Sequence, residues 1–138
     1  MRTAKERIEK AYKWAVANRP KINGYPYLAE ALRQAGVIRY VYNLPSNQCI
    51  YFSKDGNVVS QSEGSTGISE VPKFNKEAFI KVLRISQAGD STFHEFLRDS
   101  WKAGIINYEA DLIARTVTYY GAEGEKDVEE YPVVEVKM

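Results

Sequence analysis

Few side chains in this sequence could do acid–base, nucleophilic or metal chemistry. There is one histidine, His94, and one cysteine, Cys49. A zinc site built from nitrogen and sulfur ligands of one chain is therefore nearly excluded. His94 falls in the first turn of a predicted helix, where an exposed residue is a simpler interpretation than a catalytic or metal-binding one. Cys49 falls on a predicted strand, which favours a small buried hydrophobe over a nucleophile.

The acidic and glycine-rich segments are equally weak signals of chemistry. Carboxylate pairs such as Asp99 with Asp111, or Glu129 with Glu130, have no visible partner base and are interpreted as surface charges. The segment 64–67 contains two glycines but lacks the lysine and the strand–loop–helix setting of a phosphate-binding loop, so it is interpreted as a linker. No catalytic residue, metal ligand or cofactor is predicted.

Some residues are candidates for ligand binding because of the residues next to them in the sequence. Tyr25 and Tyr27 beside Gly24 could line a cleft between two parts of the chain, a common place for ligands, although packing at a helix start explains them as well. Asp111 and Arg115 near a predicted turn could act in an enzyme that uses Asp, Tyr or Arg side chains. The candidate ligand-binding residues are Tyr25, Tyr27, His94, Asp111 and Arg115.

Composition sets wider limits on function. The net charge is +1 over 138 residues, too close to neutral for a dedicated nucleic-acid or membrane-surface binder. No apolar run reaches the roughly 20 residues that span a bilayer, and the first residues lack the apolar core of a signal peptide. A single cysteine fits a reducing compartment, so a cytoplasmic location is expected.

The chain also aligns with itself. Residues 35–56 align without a gap on residues 103–124, with identity at 7 of 22 positions. Ordinary residue frequencies would give about one or two identities. The alignment predicts a duplicated unit in which two helices precede a three-stranded meander. Gly36 and Gly104 fall where a helix must turn into a strand, so both are expected at positive φ.

Local signals place the elements of each unit. Capping boxes are predicted at Thr3 and Thr92, and Pro26 lies near the first turn of the second helix. We expect an α+β fold with a pseudo-twofold axis, in which helices pack on one face of an antiparallel sheet. Whether the two meanders form one sheet or two stays open. One domain is predicted over 1–138, with units at about 1–62 and 75–138 and a polar connector at about 63–74.

Nearly the whole chain resembles domain-of-unknown-function family 1398, whose members are often labelled "phage envelope protein". The matching motifs are Gly24-Tyr-Pro-Tyr-Leu-Ala-Glu30, Leu44-Pro-Ser46, Gln87-Ala-Gly89, Arg115-Thr-Val-Thr-Tyr-Tyr-Gly121 and Glu130-Tyr-Pro132. The resemblance implies no established activity or cofactor. It implies prophage association at most.

Three functions are consistent with these observations. The favoured one is a small accessory or interaction protein of prophage or bacterial origin without catalytic activity, which acts through a surface as a homodimer or with a protein partner. The second is a small-molecule binder with a tyrosine-lined pocket between the repeats. The third is an enzyme that draws side chains from both units. Neither nucleic acid nor membrane is an expected partner.

Overall fold

The computed structural model describes residues 3–62 and 70–138 and shows an α+β fold with the predicted order of elements. Two helices and three strands occur twice along the chain. The first set is α1 (Ala4–Asn18), α2 (Tyr25–Gln34), β1 (Val37–Asn43), β2 (Gln48–Ser53) and β3 (Val58–Ser62). The second set is α3 (Lys76–Gln87), α4 (Phe93–Lys102), β4 (Ile105–Asp111), β5 (Thr116–Gly121) and β6 (Lys126–Glu130).

The two meanders form one six-stranded antiparallel sheet, which answers the question that the sequence left open. Its strand order is β3-β2-β1-β4-β5-β6, so the first strands of the two meanders pair at the centre. In that central pairing Tyr42 lies opposite Tyr108, and Tyr40 lies opposite Ala110. We call the β1–β4 pairing the seam. The seam brings residues of the two halves together on one face of one sheet.

The helices begin where the sequence signals predict. The Thr3 hydroxyl accepts a hydrogen bond from the Glu6 amide at 3.2 Å, and Asn75 caps α3 in the same way. At α4 both bonds of a capping box form, because Thr92 and Glu95 each accept from the other's backbone amide. These bonds satisfy amides that have no partner within the helix.

Each second helix ends at a glycine in the left-handed region. Gly36 has φ +101° and Gly104 has φ +90°, which confirms the expectation from sequence. L-residues with a side chain reach this region only at a cost. The two glycines therefore set the sharp turn from helix into the first strand of each meander.

Both halves pack the same strand faces against their helices. Corresponding strands have the same alternation of buried and exposed positions, including a buried second residue in β3 and β6. The largest fully buried side chains come from both halves, among them Phe79, Ile8, Leu32 and Ile105 in helices and strands and Leu112 in the β4–β5 turn. The likeness fits a duplication, which stays a hypothesis about the history of the chain.

Two details of the sequence interpretation are wrong. The apolar pattern of the first helix predicts a buried stripe of Ile8, Ala11, Tyr12 and Ala15, and three of these are buried, but Tyr12 is 38% exposed. The sequence predicts a last strand over about 127–135, but β6 ends at Glu130, since a proline at position 132 has no amide to donate. The connector over about 63–74 stays a prediction, because residues 63–69 lie outside the described part of the chain.

The residues after β6 form an extended strap with no regular structure. We use "strap" for residues 131–138. Val136 in the strap is buried against α1 and α2, and its carbonyl accepts a hydrogen bond from Gln34 Nε2 at 2.8 Å. The strap therefore crosses from the edge of the second half to the helices of the first.

Candidate binding cleft

Tyrosine side chains form a row across the helix-covered face of the sheet. Strand alternation puts Tyr40 and Tyr42 of β1 on the same face, and the pairing registers add Tyr51, Tyr108 and Tyr119 beside them. All five are at least nine-tenths buried. Four neighbouring strands thus contribute phenol rings to one surface.

The rings contact one another closely. Ring centroids are 5.7 Å apart for Tyr40 and Tyr51, 6.4 Å for Tyr40 and Tyr108, and 5.3 Å for Tyr108 and Tyr119. The Tyr42 and Tyr108 rings are nearly parallel across the seam, at 5.4 Å and an interplanar angle of 7°. Such distances are those of stabilising aromatic pairs, so the rings are held in fixed positions.

The phenol hydroxyls of this surface stay protonated. Burial raises the pKa of Tyr40 and of Tyr108 well above the ordinary tyrosine value, and it does the same for Tyr25 of α2. Tyr25 and Tyr40 hydrogen-bond through their hydroxyls at 2.7 Å. No described residue hydrogen-bonds the hydroxyl of Tyr108 or Tyr119. Neither oxygen is among the buried atoms that lack a partner, so both hydroxyls are accessible to solvent and can bond to another molecule.

Tyr40, Tyr108 and Tyr119 of this row form the floor of a cleft of about 770 Å³ between the two helix pairs. One wall is the α1–α2 loop and α2, including Tyr25 and Tyr27, and the other comes from α3 and α4, including Leu83 and Phe96. Ligand sites for small molecules have volumes of about 300 to 1,000 Å³ and mostly apolar walls. The cleft has both properties.

Two contacts join the sides of the cleft. The Asn23 amide donates to the Gln87 carbonyl at 2.7 Å, which ties the α1–α2 loop to the end of α3. The Tyr131 ring of the strap packs on Tyr25 at 5.3 Å. Charged side chains lie at the rim, with Arg19 and Lys21 on the first half and Glu129 and Glu130 on the second.

The structure brings two of the five candidate residues together. Tyr25 and Tyr27 both line the cleft. His94 is exposed at the start of α4 and does not line it. Asp111 accepts hydrogen bonds from the backbone amides of residues 113 and 114, which stabilises the β4–β5 turn. Arg115 lines a smaller cavity of about 270 Å³ beneath the strap.

Sequence reasoning missed the residues at the cleft floor. Tyr108 and Tyr119 are identical to Tyr40 and Tyr51 in the self-alignment, and such repeated positions are explained by the shared fold without a function. Alternation within a strand predicts their face, but only the seam shows that both halves contribute to one surface. Cys49 is buried as expected, and burial raises the pKa of its thiol to about 12, so it is a poor nucleophile at neutral pH.

A buried carboxyl group lies on β6 behind the cleft. Asp127 is 4% exposed, and its Oδ2 has no hydrogen-bond partner among the described residues. Burial first, and then hydrogen bonding and repulsion with Glu129, raise the pKa of Asp127. Lys76 Nζ lies 3.7 Å from Asp127 Oδ1, and Arg84 Nη1 lies 3.1 Å from Glu129 Oε1. Asp127 therefore favours the protonated form more than an exposed aspartate does.

Within residues 3–62 and 70–138 no group of three or more His, Cys, Asp or Glu side chains is arranged to hold a metal ion. None of the helices seen there is both long enough and apolar enough to cross a bilayer.

Comparison with known proteins identifies relatives but no activity. Residues 13–130 match the family model described as "Protein of unknown function (DUF1398)". The uncharacterized protein Rv2012 of Mycobacterium tuberculosis is 40% identical over 129 residues, which is 93% of this chain and 79% of the relative. The uncharacterized protein Mb2035 of Mycobacterium bovis matches to the same extent.

Proposed function

The chain belongs to the family described as "Protein of unknown function (DUF1398)", and we propose that it binds a small molecule in the tyrosine-lined cleft. The observation that carries this proposal is a cleft of about 770 Å³ whose floor presents two tyrosine hydroxyls that have no partner among the described residues. A few polar groups within a mostly apolar cleft are what orient a ligand in a small-molecule site.

The chemistry of the lining indicates the class of ligand. Tyr25, Tyr40, Tyr108 and Tyr119 supply ring faces on which a flat ring system can stack. The hydroxyls of Tyr108 and Tyr119 can each donate one hydrogen bond and accept others, whereas the bonded pair of Tyr25 and Tyr40 has one proton left to donate. The ligand class that fits is a mainly apolar molecule with at least one ring and one or two polar groups.

Thermal stability of the pure protein against a panel of ring-containing metabolites tests the proposal. A ligand at about 100 times its dissociation constant adds about 2.7 kcal/mol to the free energy of unfolding. Each hit is then titrated against Tyr108→Phe, which removes one cleft hydroxyl, and against Tyr120→Phe on the opposite face of the sheet as the matched control. Loss of one hydrogen bond costs about 0.5–1.5 kcal/mol, which is about two- to tenfold in affinity.

Comparison of Tyr108→Phe with the control Tyr120→Phe shows whether a ligand binds in the cleft. We expect weaker binding by Tyr108→Phe and unchanged binding by Tyr120→Phe. Equal affinities of the two variants for every hit would place the ligand elsewhere, and a panel without hits would count against small-molecule binding.

A second candidate is self-association through the uncovered face of the sheet. Val58 and Val128 on this face are 59% and 50% exposed, and Arg39 lies over the Phe52 ring at 3.7 Å. Arg39 also pairs with Glu109 at 3.0 Å, so the face carries both signs of charge and suits a second copy of itself. Sedimentation at micromolar concentration tests this candidate, with Val58→Asp as the disrupting variant. Prophage association stays an implication of the family label.

A further inference from the structure

The two halves differ in chemistry at one pair of equivalent positions. Strands β3 and β6 have the same burial pattern and pair in the same way with β2 and β5. At the offset of the repeat, Val59 of β3 corresponds to Asp127 of β6, and Gln61 corresponds to Glu129. The first half thus has an apolar and a neutral side chain where the second half has two carboxyl groups.

The first half shows that the fold itself needs no charge there. Val59 is 8% exposed and packs in the core, and the Tyr51 hydroxyl donates to Gln61 Oε1 at 3.3 Å. Tyr119 is the equivalent of Tyr51 and lies opposite Asp127 in the sheet, but its hydroxyl has no partner among the described residues. Replacing Val59 by a buried carboxyl group in the other half costs stability, and such costs are typical of functional sites.

The carboxyl pair lies at the cleft. Glu129 and Tyr119 both line it, and Asp127 lies beside Glu129 on the same face of β6. The other charged groups that face the pair come from α3, where Lys76 contacts Asp127 and Arg84 contacts Glu129. Arg84 is 55% exposed in its side chain, so this ion pair contributes little and a ligand can compete with it.

Given the proposed binding function, we propose that Glu129 and Tyr119, with Asp127 behind them, form a polar subsite for a ligand that carries a protonated amine. Every ligand-facing group of this subsite attracts a cation or a hydrogen-bond donor: a carboxylate, a hydroxyl oxygen and the faces of phenol rings. A carboxylate ligand would be repelled by Asp127 and Glu129. The apolar part of the ligand lies over Tyr108 and Tyr40, which are the next rings along the floor.

Three probes of similar size separate the possibilities: 2-phenylethylamine, 2-phenylethanol and 3-phenylpropanoate. Calorimetric titration of the full chain at pH 7.5 should give the amine an affinity about tenfold or more above the alcohol, as expected for a hydrogen bond to a charged group. Glu129→Gln should remove this preference, and Glu123→Gln, which neutralises an exposed carboxylate outside the cleft, should keep it.

Binding of the amine should also depend on pH. Burial raises the pKa of Asp127, so its carboxyl group takes up a proton on acidification before an exposed aspartate does, and affinity for the amine should fall as the pH is lowered from 7.5 towards 4. Affinity for the alcohol should stay constant over this range, since the alcohol carries no charge. A pH-independent preference for the amine would overturn the role of the carboxyl pair.

The outcomes of these titrations distinguish failure of the polar subsite from failure of the proposed binding function. Equal affinities for the three probes, each reduced by Tyr108→Phe, would overturn the subsite and keep the proposed function. Tighter binding of 3-phenylpropanoate than of the amine would overturn the subsite and would indicate that Arg19 and Lys21 at the rim bind a carboxylate instead. Failure of all three probes to bind would overturn both the subsite and the proposed class of ligand.

Discussion

Replacement of Gly104 by alanine tests how closely the turn between α4 and β4 is packed. Gly104 has φ +90°, and a Cβ atom built there would lie 2.5 Å from the Cα of Phe74 and 2.8 Å from the carbonyl carbon of Lys73. Both are backbone atoms, which cannot turn away as the end of a flexible side chain can. Gly36 is the repeat equivalent and has φ +101°, but its nearest neighbour would be Ser53 Oγ at an ordinary 3.4 Å.

The two alanine variants therefore separate two causes of lost stability, which are backbone strain at positive φ and a steric clash with the Phe74 backbone. Both variants force an L-residue into the left-handed region, at about 1–2 kcal/mol. Only Gly104→Ala must also move the backbone at Phe74, and overpacking of this kind costs about 1–3 kcal/mol more. We expect Gly36→Ala to lose about 1–2 kcal/mol of unfolding free energy and Gly104→Ala about 2–5 kcal/mol. The second loss is a large part of the roughly 5–15 kcal/mol that stabilises a typical domain.

Urea unfolding of the two variants and the parent chain measures these losses directly. The slope with urea should stay the same, because neither variant changes the surface exposed on unfolding. Equal losses for Gly36→Ala and Gly104→Ala would refute the collision with Phe74. An unchanged stability of Gly36→Ala would refute the strain argument at both positions.

Three further changes have outcomes that follow from single contacts. Asp127→Val, which copies the other half of the chain, should raise the unfolding free energy by about 1–2 kcal/mol at pH 7. Because the pKa of Asp127 is raised in the fold, this gain should shrink as the pH falls towards 4, where the unfolded chain also protonates. Tyr40→Phe should cost about 1–2 kcal/mol in urea unfolding because the Tyr25 hydroxyl loses its 2.7 Å partner, whereas Tyr108→Phe should cost less than about 0.5 kcal/mol. Thr92→Ala should lower thermal stability by about 1 kcal/mol through loss of the α4 cap, and an unchanged melting temperature would contradict that.

The local structure of this protein could be predicted because its signals are local. The Thr92 box, the glycines at 36 and 104, and the alternation in each strand act within a few residues, and each element forms where these signals lie. Tyr12 was misplaced because the apolar stripe of a helix does not show which edge faces the partner helix. Ala11 and Ala15 of the same predicted stripe are buried as expected beside Ala31 of α2, where small side chains let helices approach closely.

The site could be predicted only in part because it depends on pairing between distant strands. Tyr25 and Tyr27 were found from their position beside a glycine, but the cleft floor needs the seam, which no local pattern specifies. Glu129 was taken for a surface charge, and Asp127 was not considered. Extending the self-alignment from position 56 to 59 would have set Asp127 against Val59 and marked the carboxyl group as an exception.

The seam also has a consequence for the order of folding. Each hairpin closes a loop of a few residues, whereas the seam joins residues such as Asn43 and Asn107 that are roughly sixty apart. Four doublings of loop length add about 2.4 kcal/mol of closure entropy. We therefore expect each meander to gain its contacts before the seam does, and the seam to form late. Weakening the seam should thus speed unfolding more than it slows folding, which makes the lifetime of the native state, and of its cleft, depend on the pairing of β1 with β4.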